Sequence, residues 1–308
     1  MKIVVTGGAG FIGSYFVERF LSEGHHVHVV DTFKRGNKIP RPILCHPYLT
    51  LTSADIRDSE AMYAVMHEAS LCVHLAAVLG VDIVADNPME TMEVEVIGTK
   101  NIVDACIHHG VEQILYTSTS GVYGKAAIEK AVNEDFHASP SSSYGIAKRY
   151  NEIYFQGVWQ EKKMNAISIR PFNVYGTRQD DRMVIPTFFR QAMNGEALTV
   201  YGTGKQTRDF THVLDLVEGT CSLIGVQGCH IVNVAAGIET KIVELAEMIV
   251  DIVGDGKVGL VDAPARRYDF EVGRRSGSGK KLQKMTGFVP TRSLHNGLLE
   301  IWEYLRRK

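Results

Sequence analysis

The sequence predicts an α/β protein, a doubly wound parallel sheet with helices on both faces and a smaller C-terminal lobe. Three observations lead there. Short apolar, β-branched runs alternate with longer helical patterns through residue 170. A glycine-rich turn follows the first of those runs directly. Beyond about residue 175 the alternation becomes irregular.

The strands come first. KIVVT (2–6), HVHVV (26–30), YLTLT (48–52), LCVHLAA (71–77), QILYT (113–117) and NAISIR (165–170) are apolar runs of strand length. Such runs suit strands buried on both faces. Helical patterns fill 12–22, 58–68, 87–109 and 141–163 between them, then 184–194, 213–224, 240–252 and 291–306. Residues 1–174 read as one domain, with some later segments returning to it, and 175–308 mainly as the second lobe. Ligands of such sheets bind at the carboxyl ends of the strands.

Composition excludes several classes. With 308 residues and 45% hydrophobic content, the chain has a substantial core. Its 33 basic and 35 acidic residues leave a formal charge of -2, which attracts neither nucleic acid nor an anionic membrane. No run approaches the roughly 20 apolar residues of a membrane span, and MKIVVTGG is too short for a secretory signal. Cys45, Cys72, Cys106, Cys221 and Cys229 are scattered and odd in number, with no C-x-x-C pair. They suggest neither a zinc site nor a disulfide framework, and a cytoplasmic protein is expected. His74, His212 and His230 lack ligand spacing, so no metal is expected.

Two motifs carry chemistry. VVTGGAGFIGSYF places Gly7, Gly10 and Gly13 between a strand and a helix. There glycine lets the backbone approach a pyrophosphate, and the helix start supplies N–H donors. Asp31 ends the second strand, where a carboxylate binds ribose hydroxyls and repels a 2′-phosphate. That favours NAD, although Lys34 and Arg35 follow closely. The second motif is SSSYGIAKRYNE, with Tyr144 and Lys148 one helical turn apart. Taken alone, it is an ordinary helix pair or a phenol whose proton an ammonium helps to remove.

The G-x-x-G-x-x-G spacing together with Tyr144-x-x-x-Lys148 resembles the extended short-chain dehydrogenase/reductases. More narrowly, it resembles the NAD-dependent epimerase/dehydratase family and its UDP-glucose 4-epimerase-like branch. ADIRD (54–58), HLAAV (74–78), the 87–106 helix, TSTSGVYG (117–124), RPFNVYGTRQ (170–179) and VYGTGKQTRDFTHVLDLVEG (200–219) match family segments in order. The resemblance implies a Rossmann-type domain and bound NAD. It puts Gly7, Gly10, Phe11, Ile12, Gly13, Asp31, Asp55, Ile56, Leu75, Ala76, Ala77, Thr117, Tyr144, Lys148 and Pro171 around the cofactor. Thr119, Tyr144 and Lys148 become the catalytic set, with Tyr144 the proton carrier. A free tyrosine titrates near pH 10, so a cation must favour its phenolate, against burial. Thr119, Ser120, Tyr144, Asn173, Val184, Tyr201, Arg208, Arg266 and Asp269 face the nucleotide-sugar, with Arg208 and Arg266 on the diphosphate.

Dehydratases of the family carry acids one and two positions after the Ser/Thr, and decarboxylases a glutamate at the second. Here Ser120 and Gly121 stand there. The resemblance therefore implies epimerisation, at C4 of a UDP-hexose, N-acetylhexosamine or uronic acid, through a transient 4-keto sugar. A reductase or dehydrogenase with net NAD(P)(H) turnover is the alternative. A non-catalytic NAD-binding protein is a third reading, which has no need of the Thr119/Tyr144/Lys148 set. The family also implies a homodimer through helices 87–109 and 141–163. Glu95 departs from the family, which often has asparagine there. Gly273 implies room for the sugar, and Arg182 is a candidate partner for a uronic carboxylate.

Overall fold

The computed structural model describes residues 1–78, 80–124, 131–262 and 273–307. Its main sheet has seven strands in the order β3-β2-β1-β4-β5-β6-β9. These are β1 (Lys2–Thr6), β2 (His26–Asp31), β3 (Leu49–Ser53), β4 (Leu71–His74), β5 (Gln113–Thr117), β6 (Asn165–Pro171) and β9 (Cys229–Val234). The pairs from β3 to β6 are all parallel. The strand order reverses at β1, between β2 and β4, which opens a crevice at the carboxyl ends there.

Helices α1 (Phe11–Ser22), α2 (Ser59–Met66), α3 (Val81–Asp86), α4 (Pro88–Met92), α5 (Thr99–His109) and α6 (Ser143–Lys162) accompany this sheet. Asp58 caps α2 by accepting from the Ala61 N–H, and Ser142 caps α6 by accepting from the Gly145 N–H. The serine-rich stretch before Tyr144 is thus a helix start. Val4, Val30, Ile56, Ile102, Ile114, Tyr116, Phe155 and Ala166 belong to one buried apolar cluster.

By its internal contacts the chain forms two units. The first is Met1–Val122, Ser142–Arg170 and Thr220–Val232; the second is Tyr123–Ser141, Pro171–Gly219 and Asn233–Lys308. The second unit contains α7 (Val184–Met193), α8 (Val213–Cys221, most of its length) and α9 (Ile242–Val253). In it β7 (Ala197–Tyr201) pairs in parallel with β11 (Lys257–Val261). A three-stranded sheet runs β10 (Glu239–Lys241), β8 (Thr207–Asp209), β12 (Arg274–Arg275). Its core gathers Phe188, Phe189, Leu198, Leu245, Ile249, Leu298 and Ile301.

Several elements differ from the pattern-based reading, among them β9, which lies in the stretch read as irregular, and the following two. The strand expected over 71–77 ends at His74, because the chain then turns to Thr6: the Leu75 and Ala76 N–H groups bond the Thr6 carbonyl and hydroxyl. The helix expected over 87–109 is α4, a π turn at Glu93–Gly98, then α5. Among the described residues no helix is long and apolar enough to cross a membrane.

Candidate active site

The glycine turn is built by close approach. Gly7 has φ +69°, and a Cβ on it would lie 2.7 Å from the Ala76 backbone nitrogen. A Cβ on Gly13 would lie 2.3 Å from the Gly7 carbonyl oxygen. Only glycine permits α1 to start this near β1. No side chain caps α1 at Gly10, so the helix opens with N–H groups suited to an anion. Phe11 and Ile12 form its first turn.

Asp31 closes the turn. Its Oδ2 accepts the Ala9 N–H at 3.1 Å and its Oδ1 the Phe33 N–H at 2.9 Å. Burial pushes its carboxyl up, and those N–H groups oppose the shift. Lys34 and Arg35 are exposed. Asp55 is held by Arg57 at 2.7 Å, which keeps its carboxyl below the usual range. The Ile56 side chain lies in the apolar core, and its carbonyl accepts from Asn101. Leu75, Ala76 and Ala77 follow β4, Thr117 ends β5, and Pro171 ends β6. This donor set fits the phosphates and ribose of a dinucleotide.

Tyr144, Lys148 and Glu152 recur every four residues on α6, so they share one face. The Lys148 Nζ lies 5.4 Å from the Tyr144 ring centre and 4.6 Å from that of Tyr116. Its ion partner is Glu95, at 3.0 Å, with 1% and 0% of the two side chains exposed. Sequence reasoning marked Glu95 as unusual but did not find this pair. Burial, and then the Glu95 charge, push the Tyr144 phenol well above its ordinary value. The phenolate is expected to be favoured by Lys148 together with the positive nicotinamide ring, and Glu95 shares the first of those cations. His74 bridges the Thr6 and Thr99 hydroxyls at 2.7 and 3.0 Å. Burial first, and Lys148 second, hold its imidazole well below the usual range.

Thr119 follows β5, and its Oγ1 accepts the Gly121 N–H at 3.0 Å. A Cβ on Gly121 would lie 3.3 Å from that same oxygen, with only Thr119 within 4 Å among the described residues. Glycine here keeps the hydroxyl clear, while Ser120 is buried beside it.

The second unit holds the remaining predicted residues. Asn173, at φ +23°, donates to the Asp209 carbonyl at 3.0 Å. Val184 starts α7 against the second core, and Tyr201 ends β7. Arg208 stands in β8 directly opposite Arg275 of β12, a neighbour that sequence reasoning missed. Burial and then the Arg208 charge lower the Arg275 guanidinium to about 10. Asp209 accepts three backbone N–H groups, and Asp215 pairs with Arg292. The register sets two guanidinium groups side by side, an arrangement suited to an anion. A Cβ on Gly273 would meet nothing within 4 Å among the described residues. Arg182 is gripped by Asp180 through two hydrogen bonds of 2.6 and 2.7 Å, so a sugar carboxylate would compete with that acid. Arg266 and Asp269 lie outside the described residues.

Comparison with known proteins adds the family. The profile of the NAD dependent epimerase/dehydratase family matches residues 3–235. The chain belongs to this family. It is 33% identical to a UDP-N-acetyl-alpha-D-glucosaminuronate decarboxylase of Bacillus cytotoxicus, over 99% of this chain and 98% of that protein. The structure superposes on a UDP-glucose 4-epimerase with UDP-glucose from Thermotoga maritima at a TM-score of 0.93, with 28% identity over 100% and 99% of the two chains. A UDP-glucose 4-epimerase of Thermus thermophilus in complex with NAD gives a TM-score of 0.90, with 28% identity over 99% of each chain. The cofactor of the family is NAD, and its members named here act on nucleotide-sugars.

Proposed function

We propose that this protein is an NAD-dependent epimerase of a nucleotide-sugar, acting at C4 of a UDP-hexose, N-acetylhexosamine or uronic acid. The observation that carries the reading is Gly121. It sets a clear Thr119 hydroxyl where a dehydratase or decarboxylase of the family needs an acid. The glycine turn and the start of α1 hold the dinucleotide phosphates, and Asp31 holds the adenosine ribose. Lys148 holds the nicotinamide ribose. NAD, when bound, supplies a reversible hydride acceptor. Thr119 accepts or donates a hydrogen bond at the sugar C4 oxygen, and Tyr144 takes and returns the proton of that oxygen. Arg208 and Arg275 bind the diphosphate, whose oxygens suit paired guanidinium forks, and Asn173 adds an amide N–H. Tyr201 stacks on the base.

The test is incubation with UDP-, GDP- and dTDP-sugars, without added cofactor, followed by NMR of the sugar protons. A C4 epimer is expected, and Tyr144→Phe is expected to slow its formation by a factor of about 100 or more. Full turnover by that variant would remove Tyr144 from the chemistry. The Bacillus relative's name favours a second reading, decarboxylation of a UDP-uronic acid. Loss of C6 as carbon dioxide with a pentose product would establish it instead. Stoichiometric consumption of added NAD(P)H or NAD would point to a reductase or dehydrogenase.

A homodimer goes with this reading. Ile146, Tyr150 and Ile153 form an exposed stripe on α6 at helical spacing, and Met89 and Ile97 are exposed on the adjoining helical run. Sedimentation at micromolar concentration is expected to show a dimer, and Ile153→Lys a monomer. The free thiols of Cys45, Cys72, Cys106, Cys221 and Cys229 fit a reducing compartment such as the cytoplasm.

A further inference from the structure

Glu95 is the side chain of the site that the proposed chemistry does not use. It is fully buried within the π turn Glu93–Gly98, a helix form that recurs at functional positions. Its own carbonyl accepts from the Thr99 hydroxyl at 2.5 Å and the Asn151 amide at 2.8 Å, which fixes the backbone. Its Oε1 accepts the Val78 N–H at 3.0 Å, and its Oε2 faces the Lys148 ammonium at 3.0 Å. The carboxylate is thus held on two sides and aimed at the cation.

Among the described residues, the groups around this pair offer no other charge to do the same work. Tyr116 of β5 lies against the Lys148 ammonium, and burial pushes its phenol well above the usual range. Burial, and then the Lys148 charge, hold the His74 imidazole of β4 well below the usual range. Asn151 of α6 and Thr99 of α5 are uncharged. Glu152, one turn beyond Lys148, is occupied by Arg170 and Ser118. With both ionised, Lys148 and Glu95 sum to zero charge beside Tyr144; burial raises the Glu95 carboxyl, and the Lys148 ammonium opposes that shift.

We propose that Glu95 is a positioning residue that anchors Lys148 and cancels its charge beside Tyr144, so that the positive ring of oxidised NAD is the charge that completes the proton-carrying site. An asparagine or glutamine at this position would leave the ammonium uncompensated. That excess positive charge would favour the Tyr144 phenolate without cofactor, and it would disfavour the oxidised, cationic nicotinamide relative to the neutral reduced one. Glu95 thereby biases the chain toward oxidised dinucleotide, the form an epimerase must hold before each turnover. The inference rests on the Tyr144 reading proposed above. Both of its readouts are taken without sugar, so they fail separately from the turnover test.

The experiment compares the full chain with Glu95→Gln, each with and without Tyr144→Phe. Ultraviolet phenolate absorbance is titrated across the alkaline range, and the Tyr144-dependent part is obtained by difference. In Glu95→Gln this part is expected to titrate at least about one pH unit lower than in the parent, a tenfold change in acid strength. The ratio of NAD to NADH dissociation constants, from calorimetry and nicotinamide fluorescence, is expected to move about tenfold or more toward NADH. Glu95→Asp, which keeps the charge, is expected to stay near the parent ratio. An unmoved midpoint, or no Tyr144-dependent phenolate in Glu95→Gln before alkaline unfolding, overturns the proposal. So does an unmoved affinity ratio. If Glu95→Gln does not fold, Glu95→Gln/Lys148→Met removes both charges, and its ratio is expected to match the parent; a large shift there also overturns the proposal.

Discussion

Replacing Arg170 by methionine tests how α6 is held in place. Arg170 on β6 is 1% exposed and grips the Glu152 carboxylate with two hydrogen bonds, 2.8 and 2.7 Å long. Ser118, just after β5, donates to the same carboxylate at 2.6 Å. These bonds tie the Tyr144–Lys148–Glu152 face of α6 to two strands of the sheet. Breaking a buried ion pair from one side costs about 3–5 kcal/mol, because the remaining charge is stranded. Arg149 also contacts Glu152, at 3.0 Å, with about a third of its side chain exposed. It shelters part of the stranded charge, so we expect the lower end, about 3 kcal/mol. That is a large share of a typical 5–15 kcal/mol of stability. Glu152→Leu/Arg170→Met removes both charges and is expected to cost less than about 2 kcal/mol. Urea unfolding followed by Trp159 fluorescence in a Trp302→Phe background measures both, since Trp159 lies on α6. A cost below about 1 kcal/mol for Arg170→Met would refute the argument, as would a double variant whose cost is the sum of the two singles.

Three further outcomes follow from the geometry. Gly13→Ala puts a methyl 2.3 Å from the Gly7 carbonyl oxygen. The helix start must then retreat, and calorimetry is expected to show NAD binding weakened by at least about tenfold, the loss of one good hydrogen bond to a charged group. Burial raises the Asp209 carboxyl to about 6, above its unfolded value. Its contribution is therefore full below about pH 4 and is lost as the pH rises through about 6, amounting to about 3 kcal/mol. Asp209→Asn is expected to flatten that slope in unfolding read by Trp302, on the C-terminal helix Leu294–Arg306. Arg275→Met removes a desolvated cation from beside Arg208. The thermal midpoint is expected to rise while the KM for the nucleotide-sugar increases about tenfold with little change in kcat, as loss of a charge-assisted phosphate contact dictates.

The elements whose causes are local were legible in the chain itself. KIVVT and QILYT are strands at the expected residues, because a continuous apolar run has one stable place, the interior of a covered sheet. Gly7 and Gly13 announced a tight strand-to-helix turn, and the structure supplies the reason in contacts that a Cβ could not survive. Ser142, Tyr144 and Lys148 were readable as a helix start and a one-turn pair, since capping and side-chain spacing act within four residues. The partner of Lys148 was not. Glu95 reaches it only because β4 and β5 are neighbours and a π turn aims its side chain inward. Arg275 meets Arg208 through strand register, and Arg170 meets Glu152 through the packing of α6 on the sheet. Chain periodicity carries no record of those meetings. The sequence by itself therefore determined the family, the sheet and the one-turn pair of Tyr144 and Lys148. The charges that surround that pair were decided only by the tertiary structure, because electrostatic pairing depends on distance through space and not along the chain.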